Sequence, residues 1–322
     1  MVGRTRVAAR LLGGAVWIVA AGLAGLVLAQ VLAHDATTWL AILAAQTVWI
    51  HLPAYVVASA ALCFRRFALA AVALVAVVFH AVSVIGSIGS PEPIPQQAWD
   101  APRLRVVSAN VYDENPDRDR LARELLRAEA DVLLLQEITP EWAVTLHRNG
   151  FSVRYPHNVV EPLRGAGGQA IFSRLPLEDV RVTYAERWPT ISAAVDVDGT
   201  RIHLVDVHAI GPPHGIGIHE RTVDSIVGVA RSLPRPRVVA GDFNATPYNR
   251  TMERFADLGL DSAHELRGRG LAVTWPNGDE PLPPIRIDHV LVDEGLTVLR
   301  VEELRGRGSD HAPVLVDLAV GT

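Results

Sequence analysis

The chain has 322 residues, 49% of them apolar, with a formal net charge of −5, and every one of its 30 basic residues is arginine. Its one cysteine, Cys63, excludes a disulfide framework. Arg4, Arg6, Arg10, Arg65, Arg66 and Asp35 are the only charged residues among the first 90. Beyond them 25 basic residues face 34 acidic ones, a balance of about −9 that argues against a generally basic, nucleic-acid-coating surface.

Residues 1–90 read as a membrane anchor. Residues 11–33 carry no charge and as a helix would extend roughly 34 Å, enough for a hydrocarbon core of about 30 Å. The alternative for this segment is a cleaved leader ending near Ala33. Residues 38–64, interrupted by Gln46, His51 and Pro53, and residues 67–87, rich in Ala and Val, supply two further apolar runs. The expectation is three spans. Cytoplasmic retention of the two arginine clusters would place everything after residue 90 outside the cytoplasm. His51 beside Pro53 reads as a polar residue satisfied inside the helix bundle. Residues 91–103, within a stretch of four prolines and several polar residues, predict a semi-extended linker.

The remaining residues, 104–322, suffice for one large core. Strands are predicted at 104–109, 132–136, 169–177, 191–197, 201–208, 237–241, 287–293 and 311–318, and amphipathic helices at 117–129 and 219–232. Asp198-Gly199 marks a hairpin. Strands this frequent do not fit simple βαβ alternation and suggest two packed sheets with helices outside.

Polar residues recur at the ends of these apolar strands: Asn110, Glu137, His208, Asp242, Asn244, Asp288, Asp310 and His311. Strand tips are rigid and exposed, which suits a preorganised site. Asp242 and Asn244, two apart, would share a strand face. They read either as an ordinary Asx turn or as two groups aimed at one phosphate. Asp113, Asp117 and Asp119 read as partners of the following helix N-terminus. His203, His214 and His219 read as structural or solvent-facing, and His289 as core or surface filler. Residues 164–168 are either a phosphate-cradling loop or an ordinary glycine-rich one.

The stretches SANVYDENPD, LLLQEIT, VDVHAIGP, VAGDFNATP, RIDHVLVD and GSDHAPVLVDL occur in that order. Together they resemble the endonuclease/exonuclease/phosphatase superfamily over residues 104–318. The resemblance implies an α/β fold, a four-layer α/β/β/α sandwich of two mixed β-sheets, here preceded by the membrane helices. It also implies hydrolysis of phosphate esters with Mg²⁺ or Mn²⁺. Glu137 and Asp310 are then metal ligands and Asn110 a supporting one. His311 becomes the general base and Asp288 its orienting carboxylate. Asp242 would position water or carry a metal, Asn244 would donate to a phosphoryl oxygen, and a protonated His208 would stabilise the transition state. Arg286 and Trp275 are candidate substrate contacts.

The substrate stays open at this stage. The membrane anchor favours a lipid-linked phosphate or pyrophosphate, and the layout resembles membrane-tethered family members linked to teicoplanin-type glycopeptide resistance. A nuclease is disfavoured by the acidic domain, and a non-catalytic binding module by the complete set of polar residues.

Overall fold

The computed structural model describes residues 2–278 and 281–321. The side chains of residues 2–10, Arg4, Arg6 and Arg10 among them, lie outside the described residues. The chain divides into two compact units, Met1–Gly86 and Ser87–Thr322.

The first unit is helical: Val2–Ala33, Thr38–Ala45, Thr47–Ile50, Leu52–Cys63 and Phe67–Ile85. Its interior is built from Ala20, Ala58, Ala61, Ala70, Ala73 and Leu69, small side chains that let helices approach closely. Leu11–Ala33 and Phe67–Ile88, of 23 and 22 residues, are long and apolar enough to cross a membrane. The middle run is bent by 72° at its break, so the number of spans is two or three rather than the expected three. Turns at Gln46 and His51 divide this run. Pro53 then opens the last helical piece, where its missing N–H cannot continue a helix. His51 is buried, with Nε2 3.2 Å from Gln30 Oε1.

The second unit contains twelve strands among the described residues: β1 (Arg103–Asn110), β2 (Val132–Gln136), β3 (His157–Glu161), β4 (Gln169–Ser173), β5 (Glu178–Ala185), β6 (Trp188–Val197), β7 (Thr200–His208), β8 (Arg237–Asp242), β9 (Leu260–Ser262), β10 (Asp288–Asp293), β11 (Leu296–Glu303) and β12 (Val314–Val320). They form two six-stranded sheets, ordered β11-β12-β1-β2-β4-β3 and β5-β6-β7-β8-β10-β9. Each sheet is mixed, with one parallel pair, β1 with β2 and β7 with β8.

The period of two in each strand sorts the core into layers. Val106, Leu134, Ile171, Leu204, Val238, Ala240 and Val290 meet between the sheets. Their neighbours face outward. Val107, Leu133 and Leu135 pack beneath Leu121, Leu125 and Trp142 of helices Arg118–Arg127 and Pro140–Arg148. Val205, Val239 and Leu291 pack beneath Val223, Ile226 and Ala230 of helix Ile216–Ser232. This is the α/β arrangement of two mixed sheets that the sequence predicts. The four strands that the sequence does not announce, β3, β5, β9 and β11, are the four sheet edges. An edge strand has only one neighbour and needs no continuous apolar run: β5 is exposed at most of its positions.

Residues 87–92 differ from a free tether. Glu92 N donates to Leu266 O at 2.9 Å and Arg267 Nη2 to Glu92 O at 2.8 Å. A Cβ on Gly270 would lie 2.6 Å from Ser87 Cα. Polar and proline-rich composition predicts extension, but short 3₁₀ turns at Gly86–Ile88 and Gln96–Trp99 bracket the stretch that lies along Gly268 and Gly270.

Glycine is equally necessary at the end of β8. Gly241 has φ +149, and a Cβ there would lie 1.9 Å from Val207 O on the neighbouring strand. We expect Gly241→Ala to cost about 3 kcal/mol of stability through strain and overpacking. Thermal unfolding of the purified variant checks this, and an unchanged midpoint would show that β7 and β8 can part without cost.

Candidate functional site

Strand register delivers the polar residues to one place. Asp242 lies opposite His208 on one side and Asp288 on the other. From the facing sheet, Asn110 ends β1, and Glu137 follows β2 with φ +63, a left-handed conformation that a non-glycine residue adopts at a cost. Asn110 joins the sheets: its Nδ2 donates to Glu137 Oε1 at 2.9 Å and to Asp242 Oδ2 at 3.1 Å. Its Oδ1 accepts from Tyr112 N at 3.0 Å, which fixes the amide orientation. Asn110 therefore turns nitrogen, not oxygen, toward the carboxylates. It bridges them through nitrogen, where the sequence resemblance implies a supporting metal ligand.

Asp242 and Asn244 converge, though not by sharing a strand face. β8 stops at Asp242, and Asn244 follows with φ +49. The Asn244 N–H donates to Asp242 Oδ1 at 2.8 Å, so the Asx turn and the juxtaposition are one feature. Asn244 Nδ2 donates to Ala209 O at 2.9 Å and makes a longer 3.3 Å contact with Asp242 Oδ2.

His311 is buried. Its Nδ1 lies 2.8 Å from Asp288 Oδ2, and its Nε2 lies 3.8 Å from Asp242 Oδ2. Ligand atoms of Asp242, Asp288 and His311 all fall within 4.8 Å of one another. His208 Nε2 approaches the same Asp242 oxygen at 3.7 Å, and its ring tilts against Trp188 with centroids 4.5 Å apart.

The loop carrying Asp310 and His311 is tied down by residues the sequence did not single out. Ser309 Oγ donates to Asn110 O at 2.8 Å and accepts from His311 N at 3.1 Å. Asn277 Nδ2 lies within 2.9–3.2 Å of the carbonyls of Arg305, Gly306, Ser309 and His311. Glu124 accepts from the backbone N–H groups of Arg305, Gly306 and Arg307 at 2.8–3.3 Å. Thr274 Oγ1 holds the amides of Ile287 and Asp288, both at 3.1 Å. The only prior signal was the polar composition of the loops themselves.

Three candidates behave differently from expectation. Arg286, expected at a substrate phosphate, is buried and paired through Nη2 with Glu265, while its Nε and Nη1 have no hydrogen-bond partner. His208 is not protonated: burial first, then the positive charge of His311, lower its pKa to about 3, leaving it a neutral N–H donor. His311 departs in the opposite sense. Burial disfavours its charge, but Asp288 and then Asp242 outweigh that and raise it to about 10. Without a cation the expected base is therefore protonated near neutrality. Burial likewise raises Asp242 to about 7 and pushes Glu137 up. Trp275 does reach the site, with Nε1 3.3 Å from Asp310 Oδ2. Two of the other histidines are bonded inside the fold: His219 spans Ile210 O and Thr251 Oγ1, both at 2.9 Å, and His289 Nε2 contacts Ala245 O at 2.9 Å; His214 is exposed.

These residues fit a divalent cation. Asp310 Oδ1 is buried without a hydrogen-bond partner. Glu137, Asp242, Asp288 and Asp310 have no arginine among the ion pairs of the described residues. Buried carboxylates without matching positive charge are costly, and a hard oxygen-rich donor set suits Mg²⁺ or Mn²⁺. Asp242, Asp288 and His311 are the residues whose ligand atoms lie close enough together to share an ion among the described residues, and Glu137 and Asp310 are the ligands the sequence resemblance implies.

Residues 107–311 match the sequence model of the Endonuclease/Exonuclease/phosphatase family. Among curated relatives, a UPF0294 protein of Vibrio vulnificus strain YJ016 is 26% identical over 68% of this chain and 78% of its own. A UPF0294 protein of Yersinia pseudotuberculosis is 30% identical over 70% of this chain and 86% of its own. Among solved structures, the endonuclease/exonuclease/phosphatase from Beutenbergia cavernae is similar with TM-score 0.52 and 20% identity, over 68% of this chain and 72% of that one. Humanized D. rerio TDP2 is similar with TM-score 0.56 and 18% identity, over 68% and 99%. These structural likenesses concern the fold.

The raised pKa of His311 has a definite pH signature. Its folded value lies above the unperturbed ~6.5, so the stabilisation from its charged form is complete below about pH 6.5 and is lost as pH rises through about 10. In chelator-treated protein, imidazole ¹⁵N NMR should find His311 protonated at about pH 8, and Asp288→Asn should lower its midpoint. A wild-type midpoint at or below the unperturbed value would refute control by the carboxylates.

Proposed function

Because the chain belongs to the endonuclease/exonuclease/phosphatase family, we propose that it is a divalent-metal-dependent phosphoesterase acting on a lipid-linked phosphate or pyrophosphate at a membrane. One observation carries the catalytic part. Buried Asp242 and Asp288 and half-buried Glu137 and Asp310 gather with His311, whose Nδ1 is held by Asp288 at 2.8 Å.

Glu137 and Asp310 would hold the cation with Asp242 beside them, and Asn110 keeps Glu137 and Asp242 in register. A bound cation supplies Lewis-acid polarisation of a phosphoryl oxygen and offsets negative charge. With Asp242 and Asp310 engaged in that way, less negative field acts on His311, and its pKa falls toward the range of a working base. Asp288 keeps Nδ1–H occupied, so Nε2 is the atom that takes a proton from the attacking water. Neutral His208 and Asn244 are N–H donors for the developing phosphoryl charge. Asn244 can turn its longer N–H contact from Asp242 to a substrate oxygen. Trp275 limits the motion of Asp310.

The lipid-linked substrate is supported by the first unit's two helices that are long and apolar enough to cross a membrane. It is also the substrate implied by the likeness to tethered relatives linked to teicoplanin-type glycopeptide resistance. A nuclease remains the second reading, because TDP2, with which the chain shares its fold, has been solved with a single-strand DNA product.

The test is a panel of polyprenyl pyrophosphate, phospholipids and DNA with Mg²⁺, Mn²⁺ or chelator. Lipid-linked phosphate should turn over, and Glu137→Gln should lose roughly a hundredfold or more while demanding more metal. Selective cleavage of DNA would replace this reading with the nuclease. Metal-independent or absent turnover of the whole panel would remove the enzymatic reading.

Orientation has its own test. The arginine clusters ahead of the apolar span Leu11–Ala33 and at Arg65-Arg66, if the chain crosses three times, favour a second unit outside the cytoplasm. A C-terminal reporter should then be active only extracytoplasmically. Cytoplasmic activity would mean that the bent middle pair does not cross.

A further inference from the structure

Helix Arg118–Arg127 and the segment running from Glu302 to Arg307 enclose an open groove of ≈ 910 Å³. Its charge is unlike that of the acidic unit around it. Arg123 and Arg127, one helical turn apart, line one wall and Arg305 and Arg307 the other, and all four are exposed. None of the four has an ion-pair partner among the described residues, whereas nearby Arg120 is matched by Asp117 at 3.1 Å.

The groove also contains carboxylates, but each is engaged. Glu124 accepts from the backbone N–H groups of residues 305–307 at 2.8–3.3 Å. Glu303 is bonded to His264 at 3.0 Å and to Arg269. Glu302 pairs with Arg300. Four guanidiniums therefore face solvent across one groove, against a single lining carboxylate, Glu124, that has no cationic partner of its own among the described residues. Because Glu124 fixes the loop backbone, two of them are held in place. Fixed, unpaired guanidiniums are a receptor for phosphate oxygens.

We propose that this groove binds the headgroups of anionic phospholipids, docking the catalytic unit against a negatively charged bilayer surface. The assignment rests on the membrane-anchored reading above, since the apolar helices make lipid the phosphate-bearing surface this chain meets. The groove belongs to the loop that ends in Asp310 and His311, so docking there would steady the loop that carries them. Each arginine near such a surface contributes about a fivefold increase in association.

The full chain is reconstituted in nanodiscs of phosphatidylcholine alone or mixed with phosphatidylglycerol, and backbone hydrogen exchange is followed at residues 118–127 and 304–309. We expect slower exchange in both segments only with phosphatidylglycerol, and reversal of that slowing by salt. The charge-reversed variant R123E/R127E should lose the protection yet keep its turnover of a small soluble phosphodiester. Equal exchange in the two discs would overturn the lipid assignment and leave the anchor standing. Failure to enter either disc would remove both. Equal protection in phosphatidylcholine discs by added inorganic phosphate, or protection only by an added oligonucleotide, would likewise overturn it in favour of a soluble anion or a nucleic acid.

Discussion

The carboxamide of Asn110 is the hinge on which the second unit's chemistry turns. It sits where both sheets run out of apolar side chains and donates to a carboxylate from each, Glu137 and Asp242. The inter-sheet core of Val106, Leu134, Leu204 and Val238 sets the spacing, and the carboxamide spans it. An amide is neutral and has two donors. It can hold two carboxylates close together without cancelling their charge, which an arginine could not do. The site thereby keeps an unmatched negative charge, the condition for attracting a divalent cation.

That charge accounts for the divergent behaviour of the two histidines. Both are buried, and burial alone favours neutral imidazole. His311 has Asp288 at hydrogen-bond distance and is drawn to the charged state. His208 stands against Trp188 and feels the positive His311. Two chemically identical side chains thus take different charge states within one cluster, one neutral and one cationic, and their surroundings decide which. A change that altered the carboxylate charge would act on both histidines at once, so single substitutions here are not expected to be additive.

The central strands were legible because each is buried on both sides and reads as a short apolar run; VLLLQ at 132–136 coincides with β2. The edges were not, because β3, β5, β9 and β11 pack on one neighbour only and carry polar or alternating residues. The cluster itself was legible for a related reason: carboxylates and imidazoles at the tips of apolar strands conflict with burial unless they serve a site. Less legible was what each atom does. Sequence placed Asn110 among the oxygen donors, but a backbone N–H from Tyr112 claims its oxygen. Sequence offered Arg286 to a ligand, but Glu265, 21 residues earlier, pairs with its Nη2. Partners brought together by folding decide such assignments, and spacing along the chain carries no trace of them. Loop residues such as Asn277 and Thr274 were invisible for the same reason.

The loop bearing Asp310 and His311 is fastened differently from the strands around it. Its anchors are the Asn277 amide among four carbonyls, the Glu124 carboxylate on three amides and the Ser309 hydroxyl, all polar contacts of modest net strength. The sheets beneath are held by apolar burial. Urea competes directly for amide and carbonyl groups, so the loop is a candidate for a low-energy opening separate from global unfolding. The proposed turnover would then be lost at denaturant concentrations that leave the sheets folded, and return at once on dilution.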